Sequence, residues 1–137
     1  MKKYLFILLV SVQGILLAQE TPQHLIDHFF TTYPDNQGKA VVDLYKTNVW
    51  TKNAQKEIDN VVNTINSLTR DFVGEYYGKE LISTITLTDS YKIYTYLVKY
   101  DRQPIRFTFN FYKADQKWVL YSFNLSDDLS DLIALAK

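Results

Sequence analysis

The chain has 137 residues, no cysteine, and 15 basic residues against 15 acidic ones. Without cysteine it cannot form disulfide bonds, thiolate zinc sites or an anchor through a lipidated cysteine. Its balanced charge gives no indication of the basic surface that nucleic-acid binding requires, so we expect no nucleic-acid partner.

Residues 1–18 have the three-part layout of a secretory signal peptide. Two lysines form a short positive start, residues 4–17 form a mostly apolar run, and Ala18 precedes polar residues. This apolar run is shorter than the stretch that a transmembrane helix needs to cross the hydrocarbon core of a bilayer. We therefore expect a periplasmic or secreted protein that begins near Gln19 and has no membrane anchor.

Residues 19–137 are predicted to fold as a single domain that begins with helices. Threonine caps helices and proline suits their first turn, so a first helix is expected to start at Thr21–Pro22. A short second helix is expected around residues 40–45. The longest helix is predicted over residues 51–72, because apolar residues recur along one stripe and the other face is polar.

Beyond Gly78 the apolar residues change from helical spacing to strand-like alternation. The short, turn-forming separators allow only antiparallel neighbours, since parallel pairing needs a long crossover. A last short helix is expected through residues 129–135. The predicted fold class is therefore α+β, with N-terminal helices packed on a curved four-stranded antiparallel sheet and a short C-terminal helix. The predicted strands are residues 79–88, 91–100, 105–113 and 117–126.

Two of the predicted strands are apolar or aromatic on both faces. In the second strand Ile93 and Leu97 lie opposite tyrosines and a valine. In the fourth strand Trp118 and Leu120 lie opposite Val119, Tyr121 and Phe123. Helices in a chain this short can cover only one face of the sheet. We therefore expect the C-terminal segment, a partner chain or a ligand to cover the second face.

Several packing and turn segments give the chain a recognisable arrangement. They are Phe29–Phe30, Trp50, the Gly74–Gly78 loop, Leu97–Pro104, Phe107–Phe109 and Tyr112–Tyr121. In this arrangement residues 22–126 resemble small exported Gram-negative bacterial proteins of the NTF2-like (cystatin-like α+β) superfamily. The resemblance implies a cone-shaped domain whose helices cap the concave face of the sheet. It also implies a pocket at the wide end and, as in many relatives, dimerisation through the outer sheet face.

Some members of this superfamily are isomerases or dehydratases that carry Asp, His or Tyr in the pocket. The inward face of the third predicted strand departs from that pattern, because it carries only Ile105, Phe107, Phe109 and Phe111. We therefore predict a non-enzymatic binding domain with no catalytic residue and no cofactor. The alternative is a small-molecule isomerase or dehydratase whose pocket lies between the helix over residues 51–72 and the sheet.

The candidate ligand-binding residues combine an apolar body with a polar or charged tip. Tyrosines of this kind also suit ordinary sheet packing or a subunit interface, and these alternatives stay open. The interface alternative predicts a homodimer that forms through the aromatic face of the sheet. Arg106 would anchor an anion, or would act structurally by stacking on tyrosine or pairing with Glu80. The candidates for contact with a small apolar or aromatic ligand are Trp50, Tyr76, Tyr77, Tyr96 and Arg106.

His24, Asp27 and His28 have a spacing that brings their side chains near each other on the first helix, as metal ligands require. Both histidines nevertheless fall outside the apolar stripe of that helix. We therefore expect a solvated helix face at this position and no metal site.

Overall fold

The computed structural model describes residues 19–136, so the predicted signal peptide at residues 1–18 lies outside the described residues. Helices come first and a four-stranded antiparallel sheet follows, which confirms the predicted α+β class. The helices are α1 (Pro22–Thr32), α2 (Gln37–Tyr45), a 3-10 helix (Val49–Asn53), α3 (Gln55–Asn66), α4 (Arg70–Val73) and α5 (Ser130–Ile133). The strands are β1 (Tyr76–Thr88), β2 (Tyr91–Tyr100), β3 (Ile105–Lys113) and β4 (Trp118–Ser126).

Helix α1 starts where the sequence predicts and fills the core with aromatic rings. The Thr21 hydroxyl accepts a hydrogen bond from the backbone N–H of His24 at 3.2 Å, which caps the helix. The ring centroid of Phe29 then lies 5.2 Å from that of Phe109 and 5.5 Å from that of Phe123. Contacts of this kind, between one helix face and the inner face of the sheet, hold the two layers together.

The single helix predicted over residues 51–72 is wrong, because the 3-10 helix, α3 and α4 divide this segment. Ala54 separates the first two elements with φ −111° and ψ 30°, outside α-helical geometry. At the end of α3 the Ser67 hydroxyl donates to the Thr64 carbonyl at 2.6 Å. Serine side chains that bond to backbone carbonyls compete with the helical ladder. Thr69 is then extended, with ψ 158°, before α4 begins.

The strands pair in the order β1-β2-β3-β4, which is the meander that the turn-forming separators predict. The sheet curls but does not close. Strand β1 begins at Tyr76 and not at the predicted Lys79. The strand continues through Gly78, which adopts a φ of 98°, and the pairing register with β2 shifts between Tyr76 and Lys79. Tyr76 can therefore pair with Tyr100 at the start of the hairpin.

Most of the tyrosines of β2 lie on the inner face of the sheet, which is the face that packs against α1. Tyr94, Tyr96 and Tyr100 are buried there. Tyr96 pairs with Phe107 of β3, and its hydroxyl lies 3.3 Å from the side-chain nitrogen of Gln23. These tyrosines are therefore part of the core and do not form an open aromatic face.

A β-bulge in β4 changes which side chains share the inner face. Leu120 pairs with Phe111 while Ser122 pairs with the preceding residue of β3, so Tyr121 is the extra residue. Leu120 and Phe123 are both buried as a result, although simple alternation predicted that they lie on opposite faces. That prediction is wrong because alternation assumes an unbroken register.

The C-terminal segment lies over part of the outer face of the sheet. The Arg106 guanidinium binds the Asp131 carboxylate at 2.6 Å, just after the start of α5. Leu132, Thr95 and Thr108 together line an open groove of about 380 Å³. The rest of the outer face has no cover within residues 19–136.

The two edges of the sheet differ in their hydrogen bonding. At the β4 edge the Thr47 hydroxyl accepts a hydrogen bond from the Leu120 N–H at 3.1 Å, and the Asn48 amide donates to the Leu120 carbonyl at 3.0 Å. Within the described part of the chain, no segment besides β2 bonds to the backbone of residues 79–87 in β1. The β4 edge is thus blocked at Leu120, whereas the β1 edge is open.

Candidate binding surface

Two large apolar side chains project into solvent between α2 and α3. Trp50 is 80% exposed and Val49 is 64% exposed, both on the 3-10 helix. We call this pair the Trp50 ridge. The sequence predicted Trp50 as a ligand contact, and the break in helical period just before it is the signal that marks the ridge.

Asn48 caps the 3-10 helix and fixes it to the sheet. Its side-chain oxygen accepts a hydrogen bond from the Trp50 backbone N–H at 3.1 Å, while its amide nitrogen donates to the Leu120 carbonyl of β4. One side chain therefore determines both where the ridge starts and how far it stands from the sheet.

Two threonines fix the same segment from either side. The Thr47 hydroxyl lies 2.7 Å from the Leu44 carbonyl, in addition to its bond with β4. The Thr51 hydroxyl lies 3.0 Å from the Tyr45 carbonyl and 2.7 Å from the Asn48 carbonyl. The ridge is thus held rigidly by polar side chains while its apolar side chains face water. An anchor that is ordered before binding loses little entropy when a partner arrives.

A groove of about 380 Å³ lies on one side of the ridge, against the β3–β4 hairpin. Val49 and Trp50 form one wall, Tyr112 and Val119 form the other, and the hairpin residues 114–117 close the end. We call it the hairpin groove. Its walls are mainly apolar and aromatic, which is the usual composition of a binding groove.

A second groove of about 320 Å³ lies on the other side of the ridge, between α2 and the start of α3. We call it the helix groove. Asn48 and Val49 line both grooves, so Val49 is the member of the Trp50 ridge that separates them. The other residues that line the helix groove are Val42, Tyr45, Lys46, Thr51, Lys52, Gln55 and Ile58.

The uncovered part of the outer sheet face carries exposed aromatic and apolar side chains. Tyr121 is 61% exposed, Ile85 is 48% exposed and Tyr112 is 43% exposed. The Tyr91 and Tyr121 rings meet edge to face with centroids 5.9 Å apart. We call these residues, together with the half-buried Ile93, the outer aromatic patch. Because Tyr112 also lines the hairpin groove, the patch and the groove form one continuous surface.

The structure does not bring the five predicted ligand contacts together. Trp50 lies on the ridge, whereas Tyr76 and Tyr96 pack into the inner side of the sheet. Tyr77 is exposed on β1, where a hydrogen bond to Asp101 raises the pKa of its hydroxyl. Arg106 pairs with Asp131 and not with Glu80, which binds Lys99 at 3.0 Å.

A buried pair of tyrosines joins α1 to β2 at the Gly74–Gly78 end of the domain. The hydroxyls of Tyr33 and Tyr100 are hydrogen-bonded to each other, and the side-chain nitrogen of Gln37 lies 3.3 Å from the Tyr33 oxygen. Burial raises the pKa of Tyr100 to about 12 and raises the pKa of Tyr33 further. Both hydroxyls therefore stay protonated near neutral pH and act as structural hydrogen-bonding groups.

The space between α3 and the sheet, where the alternative enzyme prediction puts a pocket, is a groove of about 180 Å³. Its lining combines amide, hydroxyl and apolar side chains and includes no ionisable group. An isomerase or dehydratase needs a group that can accept or donate a proton at the reacting atom. The lining residues are Asn60, Val61, Thr64, Phe123, Asn124 and Leu125.

His24, Asp27 and His28 lie on the solvent side of α1. The Asp27 carboxylate accepts a hydrogen bond from Gln23 at 2.9 Å. Across residues 19–136, no three side chains of His, Cys, Asp or Glu converge as metal ligands would. No helix in the same range has the length and hydropathy needed to cross a bilayer.

Comparison of the chain with protein-family models, with curated proteins and with solved structures gives no match. The α+β class therefore rests on the coordinates, and the resemblance to the NTF2-like superfamily stays a prediction.

Proposed function

We propose that this chain is an exported, non-enzymatic binding domain of the NTF2-like type, and that two copies associate through the outer aromatic patch. The observation that carries the proposal is the exposure of Tyr112, Tyr121 and Ile85 on the part of the outer sheet face that α5 does not reach. Monomeric soluble proteins rarely leave a large contiguous apolar patch in water.

The composition of the patch suits association of two identical surfaces. A two-fold axis places the same residues against each other, so any charge at the centre of the interface would meet its own copy. Its members, Tyr91, Tyr112, Tyr121, Ile85 and Ile93, carry no charge. Tyrosine is also among the residues that are enriched in protein interfaces, because it buries a ring and keeps a polar tip.

The non-enzymatic part of the proposal is supported by the interior of the domain. Phenylalanine rings occupy the space between α1 and the sheet, and the groove beside α3 is lined without an ionisable side chain. Export is supported by residues 1–18 alone, with their positive start, apolar run and small residue before the polar Gln19.

Light scattering coupled to size-exclusion chromatography tests the association. We expect residues 19–137 to give the mass of two chains, and the Tyr121→Arg variant to give the mass of one. Tyr77→Arg is the matched control, because Tyr77 is also 61% exposed but lies outside the patch. This control should keep the mass of two chains. A wild-type mass of one chain at high micromolar concentration would overturn the proposed association.

A further inference from the structure

We infer that the helix groove binds a small amphipathic carboxylate of the medium-chain fatty-acid type, with its charged end beside Lys46 and Lys52. The inference goes beyond the proposed self-association, because this groove lies on the other side of the Trp50 ridge from the outer aromatic patch. Binding in the helix groove therefore does not depend on formation of the dimer.

The size and walls of the groove suit a short apolar chain. Its volume of about 320 Å³ lies at the lower end of the range for small-molecule pockets, about 300–1,000 Å³. Ile58 is buried at its base, and Val42, Tyr45 and Val49 supply further apolar surface. An apolar chain laid here would cover Val49, which is otherwise exposed to water.

The charges at the groove favour an anionic end group. Lys46 and Lys52 line the groove, and no aspartate or glutamate does. Lys52 has no acidic partner within 4.0 Å among the described residues, and Lys46 lies 3.8 Å from Asp43, which also binds Lys39. A carboxylate placed at this end would therefore meet the charge of Lys52 and that of Lys46, whose single acidic neighbour is shared with Lys39.

The walls are already ordered in the arrangement that the ligand would meet. Asn48 holds Val49 and Trp50 from one side, and Thr51 bonds to the carbonyls of Tyr45 and Asn48 from the other. Binding would not have to order this segment, so the apolar contacts contribute to affinity with little entropic loss.

Isothermal titration calorimetry with octanoate and 1-octanol tests the inference. We expect octanoate to bind up to about fivefold more tightly than octanol, a difference of the size that a partly exposed charge contact gives. Decanoate should bind more tightly than octanoate, by up to roughly fourfold for each added methylene that is buried. The double variant Lys46→Gln/Lys52→Gln should lose the preference for octanoate, whereas Lys56→Gln, an exposed lysine outside the groove, should keep it.

A substitution in the wall gives a second, independent measurement. Val49→Glu should abolish octanoate binding by filling the groove with a like charge, and Leu87→Glu, at a similarly exposed position on β1, should leave it unchanged. Octanoate binding in the Tyr121→Arg background should match the wild type, so failure of the dimer and failure of the groove can be told apart. No heat with octanoate or decanoate at millimolar concentration at two well-separated temperatures, or equal affinity for octanol, would overturn the inference.

Discussion

Asn48 and Leu120 are 72 residues apart in sequence and are joined by a hydrogen bond of 3.0 Å from the Asn48 amide to the Leu120 carbonyl. The oxygen of the same Asn48 side chain accepts the Trp50 backbone N–H. The position of an exposed tryptophan is thus set by the edge of a distant strand. The ridge and the sheet therefore form one rigid unit.

Removing this link should loosen the ridge. We expect Asn48→Ala to lower the free energy of unfolding by about 1–2 kcal/mol, since it removes a helix cap and a bond to the strand backbone. Denaturant unfolding measures this loss. Fluorescence anisotropy at the red edge of emission, where the exposed Trp50 dominates over the buried Trp118, should fall in parallel. Asn53→Ala, in the same 3-10 helix, is the control, and an equal effect there would contradict the assignment.

Gly74 and Gly78 should respond differently to alanine although both have positive φ, 87° and 98°. A Cβ on Gly74 would lie 2.5 Å from the Cβ of Asp101, whereas a Cβ on Gly78 would meet nothing within 4 Å. We expect Gly78→Ala to cost about 1–2 kcal/mol from backbone strain alone. Gly74→Ala should cost about 1–3 kcal/mol more, because Asp101 must move and because the Gly74 backbone, with ψ −160°, lies in a region that is essentially restricted to glycine. Equal losses in urea unfolding would show that the Asp101 contact has no energetic effect.

The stabilisation that Asp101 gives the fold should be lost in acid. Its carboxylate accepts a hydrogen bond from the Glu75 N–H at 2.9 Å, and this bond, with a second from the Tyr77 hydroxyl, holds the pKa of Asp101 below its usual 3.8. A lowered pKa stabilises the fold above 3.8, and this stability is lost as the pH falls through the lower folded value. The stability difference between wild type and Asp101→Asn should therefore shrink when urea unfolding is repeated in acid. A constant difference would contradict this.

The Tyr33–Tyr100 pair should limit stability in alkali. Unfolded tyrosine ionises near pH 10.0, while the folded pKa of Tyr100 is raised to about 12 and that of Tyr33 is raised further. The pair therefore stabilises the fold fully below pH 10.0, and this contribution falls as the pH rises above it. We expect the free energy of unfolding to decrease above that pH, with tyrosinate absorbance from this pair appearing only on unfolding. The double variant Tyr33→Phe/Tyr100→Phe should show a weaker dependence on pH, and an unchanged dependence would exclude this pair as the cause.

Residues 1–18 should direct export in a Gram-negative host. We expect the full chain to appear in the periplasmic fraction or the medium, with a mature N-terminus near Gln19 that mass spectrometry of the intact protein can identify. A chain that begins with Met followed by residues 19–137 should stay in the cytoplasm. An uncleaved full chain in the cytoplasmic fraction would show that the prediction is wrong.

Patterns within one element predicted much of this fold. The alternation in β3 and the turn residues between strands were sufficient for the antiparallel meander, because short separators leave no other pairing. The Thr21 cap was also correct. The helix over residues 51–72 was wrong because a continuous apolar stripe does not reveal where Ala54 or Ser67 interrupts the backbone ladder.

Features that depend on two elements at once escaped prediction. Nothing in the sequence of β2 shows that Tyr94, Tyr96 and Tyr100 face α1, since both faces of that strand are apolar. The bulge at Tyr121 arises from its register with β3. Asn48 lines both the helix groove and the hairpin groove, and its contact with Leu120 is one that local spacing does not encode. Trp50 could be singled out because a large aromatic stood where the helical period broke.

The blocked edge at Leu120 has a consequence for assembly. Because Thr47 and Asn48 block the β4 edge at Leu120, another strand can add to this sheet only beside β1. If two copies paired through their β1 strands, both open edges would be used and a third copy could not add. We therefore expect Thr47 and Asn48, which also position Trp50, to disfavour open-ended growth of the sheet into fibres.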